Sequence, residues 1–186
     1  MTKVFIGGSR DITTLDQNIK NELDSIIKKN DTVIIGDANG ADKAVQYYLN
    51  ENKYKNVIVY CMKGNCRNNI GNWTTKYICS EYAKKDFNFF VTKDLEMAKD
   101  ANYGLMIWDA RSKGTINNIL NLIENNKKAL LYFKSEHKFY NINNVNDLQA
   151  ILGKCDEKDI NMFKKKLDLT HKLAALANVQ QQLIAV

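Results

Sequence analysis

The chain has 186 residues, of which 45% are apolar and 26% charged, and a formal net charge of +6. This is enough for one domain with a real core and excludes a disordered or fibrous chain. No apolar run approaches the roughly 20 residues that span a bilayer, and "MTKVFIGG" opens on a strand rather than a signal-type segment, so a cytoplasmic protein with no membrane partner is expected.

Strand and helix signals alternate through the first 133 residues. Lys3–Gly7 is a predicted strand ending in "GGSRD". Leu15–Lys29 follows with Leu15, Ile19, Leu23, Ile26 and Ile27 at helical spacing. Thr32–Gly36 is the second strand, Ala41–Asn50 a helix and Asn56–Cys61 the third strand. The pattern weakens after Met62, where "KGNCRNNIGNW" is loop-like and Thr75–Lys85 is read as a helix. Asp94–Asp100 is a short helix, Tyr103–Trp108 the fourth strand, Thr115–Asn125 a helix and Lys128–Phe133 the fifth strand. The strands are near-continuous apolar runs, as in a parallel sheet buried on both faces. The fold class expected is therefore α/β, a Rossmann-like doubly wound parallel sheet of about five strands.

The expected division is a nucleotide-binding domain over residues 1–133 and a C-terminal extension over 134–186. "KFYNINNVNDLQAIL" suggests a short edge strand and a short helix. Asp156–Val186 reads as one long amphipathic helix, with Leu169, Leu173, Leu176 and Leu183 near heptad spacing. Such a helix packs on its own domain or pairs with another subunit; a homo-oligomer is expected. The four cysteines, Cys61, Cys66, Cys79 and Cys155, lack metal-finger or redox spacing. They are read as free thiols in a reducing compartment, with no metal and no cofactor expected.

In a doubly wound sheet, ligands bind beyond the carboxyl ends of the strands. Three loops fall there. "GGSRD" offers Gly7 and Gly8 for close backbone approach, the Ser9 hydroxyl and the planar fork of Arg10. "GDANGAD" places Gly36, Asp37, Asn39 and Gly40 before a helix N-terminus; Asp42 is either a first-turn carboxylate or a ribose ligand. "WDARSKGT" ends a strand with Trp108 and Asp109 and opens a helix with Ser112, Lys113, Gly114 and Thr115. Trp108 either stacks on a base or packs in the core. Together the three loops point to a small nucleotide-like ligand. The lysines are spread along the chain rather than grouped with aromatics, so nucleic acid is not expected as a partner.

"GGSRD", "GDANGADKAV" and "KDLEMAKDANYGLMIWDARSKGT" together resemble the SLOG superfamily. This Rossmann-like group includes the lonely-guy phosphoribohydrolases, the DNA-processing proteins and YspA/YpsA-type proteins. The segment Lys93–Thr115 is also similar to nucleoside 2-deoxyribosyltransferases. The resemblance covers about Lys3 to Phe133 and implies a site for nucleotides or nucleotide-derived messengers. It points to the loop residues above, with Lys93 or Asp94 reaching the same pocket unless Asp94 is a helix N-cap. The enzymes resembled place a glutamate three residues after the loop threonine; here Asn118 stands there. An amide can hydrogen-bond a ribose hydroxyl but supplies no negative charge at an anomeric carbon.

The expected function is thus recognition of a nucleotide-type signal, of the NAD, ADP-ribose or cyclic nucleotide kind, by a sensor or sequestering protein with Asn118 in the site. An N-glycosidase or deoxyribosyltransferase is the alternative, with no catalytic residue singled out.

Overall fold

The computed structural model describes residues 1–64, 66–82 and 84–184, with side chains described up to residue 179. Seven strands form one sheet: β1 (Lys3–Gly8), β2 (Thr32–Gly36), β3 (Val57–Met62), β4 (Thr74–Ile78), β5 (Tyr103–Trp108), β6 (Ala129–Phe133) and β7 (Lys138–Ile142). Their order is β4-β3-β2-β1-β5-β6-β7. All neighbours are parallel except β6 and β7. The chain winds outward from β1 to β4, then returns to lay β5 beside β1. The crevice at that reversal is where a doubly wound sheet takes its ligand.

The apolar runs are explained by cover on both faces. Val4, Ile6, Val33, Ile35, Leu105 and Ile107 pack under α1 (Gln17–Lys28) and α2 (Ala41–Glu51). Phe5, Ile34, Met106 and Trp108 face the other way, under α3 (Phe87–Asp100) and α4 (Lys113–Glu124). Alternate residues of one strand thus enter different cores. Asp16, Asp86 and Ser112 cap α1, α3 and α4 through side-chain oxygens that accept from the first-turn N–H groups.

Three sequence expectations are corrected. Thr75–Lys85 is not a helix: Thr74–Ile78 is the edge strand β4, whose threonines, tyrosine and isoleucine favour extended backbone. The α3 helix begins at Phe87 rather than Asp94, because Asp86 caps it, and Asp94 lies in its middle. Asp156–Val186 is not one helix: α6 (Glu157–Leu167) and α7 (Leu169–Ile184) meet at Asp168, in the left-handed region with φ 52°. That break lets each helix lay its own apolar stripe on the chain. Phe163, Leu167 and Leu169 join the core, and Leu173 and Leu176 pack against it, near α5 (Val145–Leu152). The side chain of Leu183 lies outside the described residues.

The cysteine expectation is also corrected. Cys61 and Cys66 form a disulfide between the end of β3 and the loop after it, while Cys79 and Cys155 are free. The cysteines therefore give no argument for a reducing compartment. Among the described residues no helix is long and apolar enough to cross a membrane.

Candidate functional site

A cavity of about 600 Å³ opens at the carboxyl ends of β1, β2 and β5, between the N-terminal halves of α3 and α4. That is within the usual range for a small-molecule site. Two missing side chains open space at the sheet edge beside it. Gly7 and Gly36 follow the paired residues Ile6 and Ile35 and face the α3–α4 side. Over Gly36, the point that a Cβ would occupy is 2.5 Å from Asp42 Oδ2 and 2.9 Å from Lys93 Nζ. Over Gly7, the Asn118 amide nitrogen stands 3.4 Å from the corresponding point. The two glycines thus allow groups from α2, α3 and α4 to converge on the sheet edge.

Ten of the residues expected from the sequence line this cavity: Gly7, Gly8, Arg10, Asp42, Lys93, Asp109, Ser112, Lys113, Gly114 and Asn118. The other seven do not, and most of them build the loops. Ser9 is fully buried, and its hydroxyl donates to Asp109 at 2.8 Å. Asp109 also accepts from the N–H groups of Arg111 and Ser112, both at 2.9 Å, so it shapes the β5–α4 turn. The Gly36 carbonyl accepts from Gln46. Asp37 is clasped by Arg67 through the guanidinium at 2.6 Å and 3.2 Å and the backbone N–H at 3.0 Å. Asn39 accepts from Asn68. Gly40 caps α2 at φ 81°, packed against the backbone of Arg10. Thr115 is buried in the first turn of α4, its hydroxyl without a partner. Trp108 does not reach the cavity. Its ring is in the core beside Phe133 and Phe163, and its indole N–H donates to the Ser112 carbonyl. The alternation of β5 turns Trp108 to the same face as Met106, under the helices.

The charge pattern is asymmetric. The deep carboxylates are engaged: Asp37 with Arg67, Asp94 with Lys93 at 2.6 Å, and Asp109 with the turn. Burial alone would raise the Asp37 pKa, but its bonds from Arg67 prevail and hold it below its ordinary value. Around the mouth, Arg10, Lys85, Arg111 and Lys113 have no ion-pair partner among the described residues. The N–H groups of Lys113 and Gly114 open α4 and have no internal acceptor among the described residues. Asn118 adds a buried Oδ1 with no hydrogen-bond partner. Together the cations and N–H groups suit an anion at the rim.

Asp42 is the exception among the carboxyl groups. Burial pushes its pKa up to about 7, against the pull of Lys93, while Asp94 and Asp37 add to the rise. Burial would lower the Lys93 pKa, but Asp94 and Asp42 outweigh it and the net shift is upward. For Asp42 the sign follows from linkage. Below about pH 4 folded and unfolded chains both carry the proton. Between there and pH 7 only the unfolded chain ionises, so this site lowers stability as pH rises, and above pH 7 the full cost persists. Asp42→Asn is expected to melt progressively higher than wild type as the pH is raised from about 5 to about 8. A pH-independent difference in melting temperature would contradict this.

Arg67, Lys85, Phe87, Phe90, Met97 and Arg111 also line the cavity, although the sequence did not point to them. Phe87, Phe90, Asp94 and Met97 share one side of α3 at steps of three or four residues. That spacing was the available signal. Arg67 carried none, because hydrogen bonds 30 residues long in sequence bring it to Asp37. A metal reading fails nearby: Asp37, Cys61 and Cys66 lie within 4.8 Å of one another, but the sulfurs are bonded together and both Asp37 oxygens are held by Arg67.

No family model and no curated protein matches the chain. Among solved structures, it is similar to DNA processing protein A from Helicobacter pylori, at 16% identity and a TM-score of 0.53. The match covers 90% of this chain and 80% of that one. The fold is Rossmann-like. That neighbour is described for its single-stranded DNA binding mode, which overturns the expectation that set nucleic acid aside. The dispersal of lysines in sequence was a poor guide, because the fold gathers Arg10, Arg67, Lys85, Arg111 and Lys113 with three phenylalanines around one cavity.

Proposed function

We propose that this chain is a SLOG-type protein that binds a small nucleotide or nucleotide-derived ligand in the α3–α4 cavity, as a sensor or sequestering protein. The observation that carries this reading is the ring of four cations without carboxylate partners around a cavity whose own deep carboxylates are largely engaged. A phosphate at Gly7–Gly8 and the start of α4 would meet Arg10, Lys113 and two free N–H groups. The Asn118 side-chain amide, which lines the cavity, is of a type that hydrogen-bonds a ribose hydroxyl. Glycosidic cleavage ranks below recognition because position 118 offers an amide where that chemistry needs a carboxylate.

A second reading, single-stranded DNA, is favoured by the fold similarity and by the grouping of cations with Phe87 and Phe90. Calorimetric titration with AMP, ADP-ribose, 3′,5′-cyclic AMP, adenosine and an oligothymidylate separates the two. A mononucleotide-type ligand should bind in a 1:1 ratio and adenosine at least about tenfold more weakly, since one lost charge-assisted contact is worth that much. Binding of the oligonucleotide alone, falling steeply with salt, would replace the first reading with the second. No heat from any of them would reject both.

A further inference from the structure

Trp108 is unavailable for stacking and Phe5, which also lines the cavity, is buried in the core, so the accessible aromatic rings there are Phe87 and Phe90, one turn apart at the start of α3. Both are half-buried, and both meet cations. The Arg67 guanidinium lies 4.6 Å from the Phe90 ring centre, and Arg10 lies 6.0 Å from it. The Lys113 ammonium lies 4.0 Å over Phe87. These contacts are not equivalent. Arg67 is fixed by Asp37 at 2.6 Å, so that side of Phe90 stays covered. Lys113 has no carboxylate partner among the described residues and sits in the first turn of α4, beside the N–H groups that face the cavity. A phosphate there offers Lys113 a stronger partner than a ring face.

We infer that Phe87 is the stacking platform for the ligand's heterocycle, exposed when Lys113 leaves its ring for the ligand's phosphate. The inference rests on the nucleotide reading above and adds to it: the ligand must carry a planar aromatic ring as well as an anion. Phe90, held by Arg67, forms the fixed wall beside the slot. One exchange links the two halves of recognition, because the cation that holds the phosphate is the one that covers the ring. A base-free sugar phosphate would draw Lys113 away and leave the ring of Phe87 without a partner.

The test compares AMP with ribose 5-phosphate on wild type, Phe87→Leu and Phe87→Trp, each checked by thermal melting. Leucine keeps an apolar side chain and removes the π face; tryptophan restores one. Stacking is typically worth at least about tenfold in affinity. Wild type and Phe87→Trp should therefore bind AMP about tenfold tighter than ribose 5-phosphate. Phe87→Leu should bind both alike, holding ribose 5-phosphate at least as tightly as wild type because Lys113 no longer gives up a ring contact. As a readout needing no variant, wild type should quench the fluorescence of 2-aminopurine riboside 5′-monophosphate. Equal affinities in wild type, an unquenched bound probe, or a Leu variant that loses both ligands equally would overturn the inference while leaving the anion site standing. Failure of wild type to bind either ligand would overturn the nucleotide reading and this inference with it.

Discussion

Arg10→Ala combined with Lys113→Ala is expected to weaken AMP binding about a hundredfold, with each single change costing about tenfold. The two residues approach from different loops, after β1 and at the start of α4, and both line the cavity. Neither is engaged by a carboxylate among the described residues, so removing them leaves no buried acid uncompensated. Their loss should therefore appear in binding and not in folding: the double variant is expected to melt within about 2 °C of wild type. Arg67→Ala provides the contrast. It would strip Asp37, which is fully buried, of its clasp and should lower stability as well as affinity. Calorimetry and thermal melting on the same samples check the pair of outcomes. Unchanged AMP affinity in the double variant would mean that the rim cations do not hold the ligand.

Gly8→Ala is expected to cost about 3 kcal/mol of stability, a fall in melting temperature of about 10 °C. Gly8 pairs with Ile107 in the ladder between β1 and β5. A Cβ on it would come under 3.0 Å from the Ile107 carbonyl oxygen and from the Cβ of Ala41. The first is sheet backbone and the second opens α2, so neither can rotate aside. Gly114, which also lines the cavity, is different: the nearest atom to its added Cβ is Ser112 Oγ at 3.8 Å. Gly114→Ala sits inside the first turn of α4 and should leave stability unchanged or slightly higher. Thermal melts of the two variants side by side test this. Equal effects would show that close approach of β1 to β5 and α2 does not govern Gly8.

These two glycines also show how far the sequence could be read. Both stood out as turn residues at an anion loop, but only the packing of β5 and α2 distinguishes a strand constraint from an open helix start. The central strands were legible because burial on both faces makes them continuous apolar runs. The edge strand β4 was not, since its exposed face interrupts the pattern with Thr74 and Lys76. Of the site, the loops on β1 and β5 were legible because glycines and a capping serine mark strand ends. Arg67 was not, because it reaches the cavity from a loop 30 residues from Asp37 in sequence, and Phe87 was marked only by the three- and four-residue steps it shares with Phe90, Asp94 and Met97. Asp37 and Asp109 were expected to bind the ligand; in the structure both hold loops, one clasping Arg67, the other tying Ser9 to the β5–α4 turn. A carboxylate beside a glycine-rich turn can thus fix loop geometry rather than meet a ligand.

On the proposed function, an anionic nucleotide-type ligand occupies the crevice between β1 and β5. Its most direct test is a crystal structure of the wild-type protein with AMP bound from solution. The phosphate is expected at Gly7–Gly8 and the first turn of α4, within hydrogen-bond reach of Arg10 and Lys113, and the ribose beside Asn118. AMP found elsewhere on the protein, or an empty crevice in crystals equilibrated with saturating AMP, would contradict it.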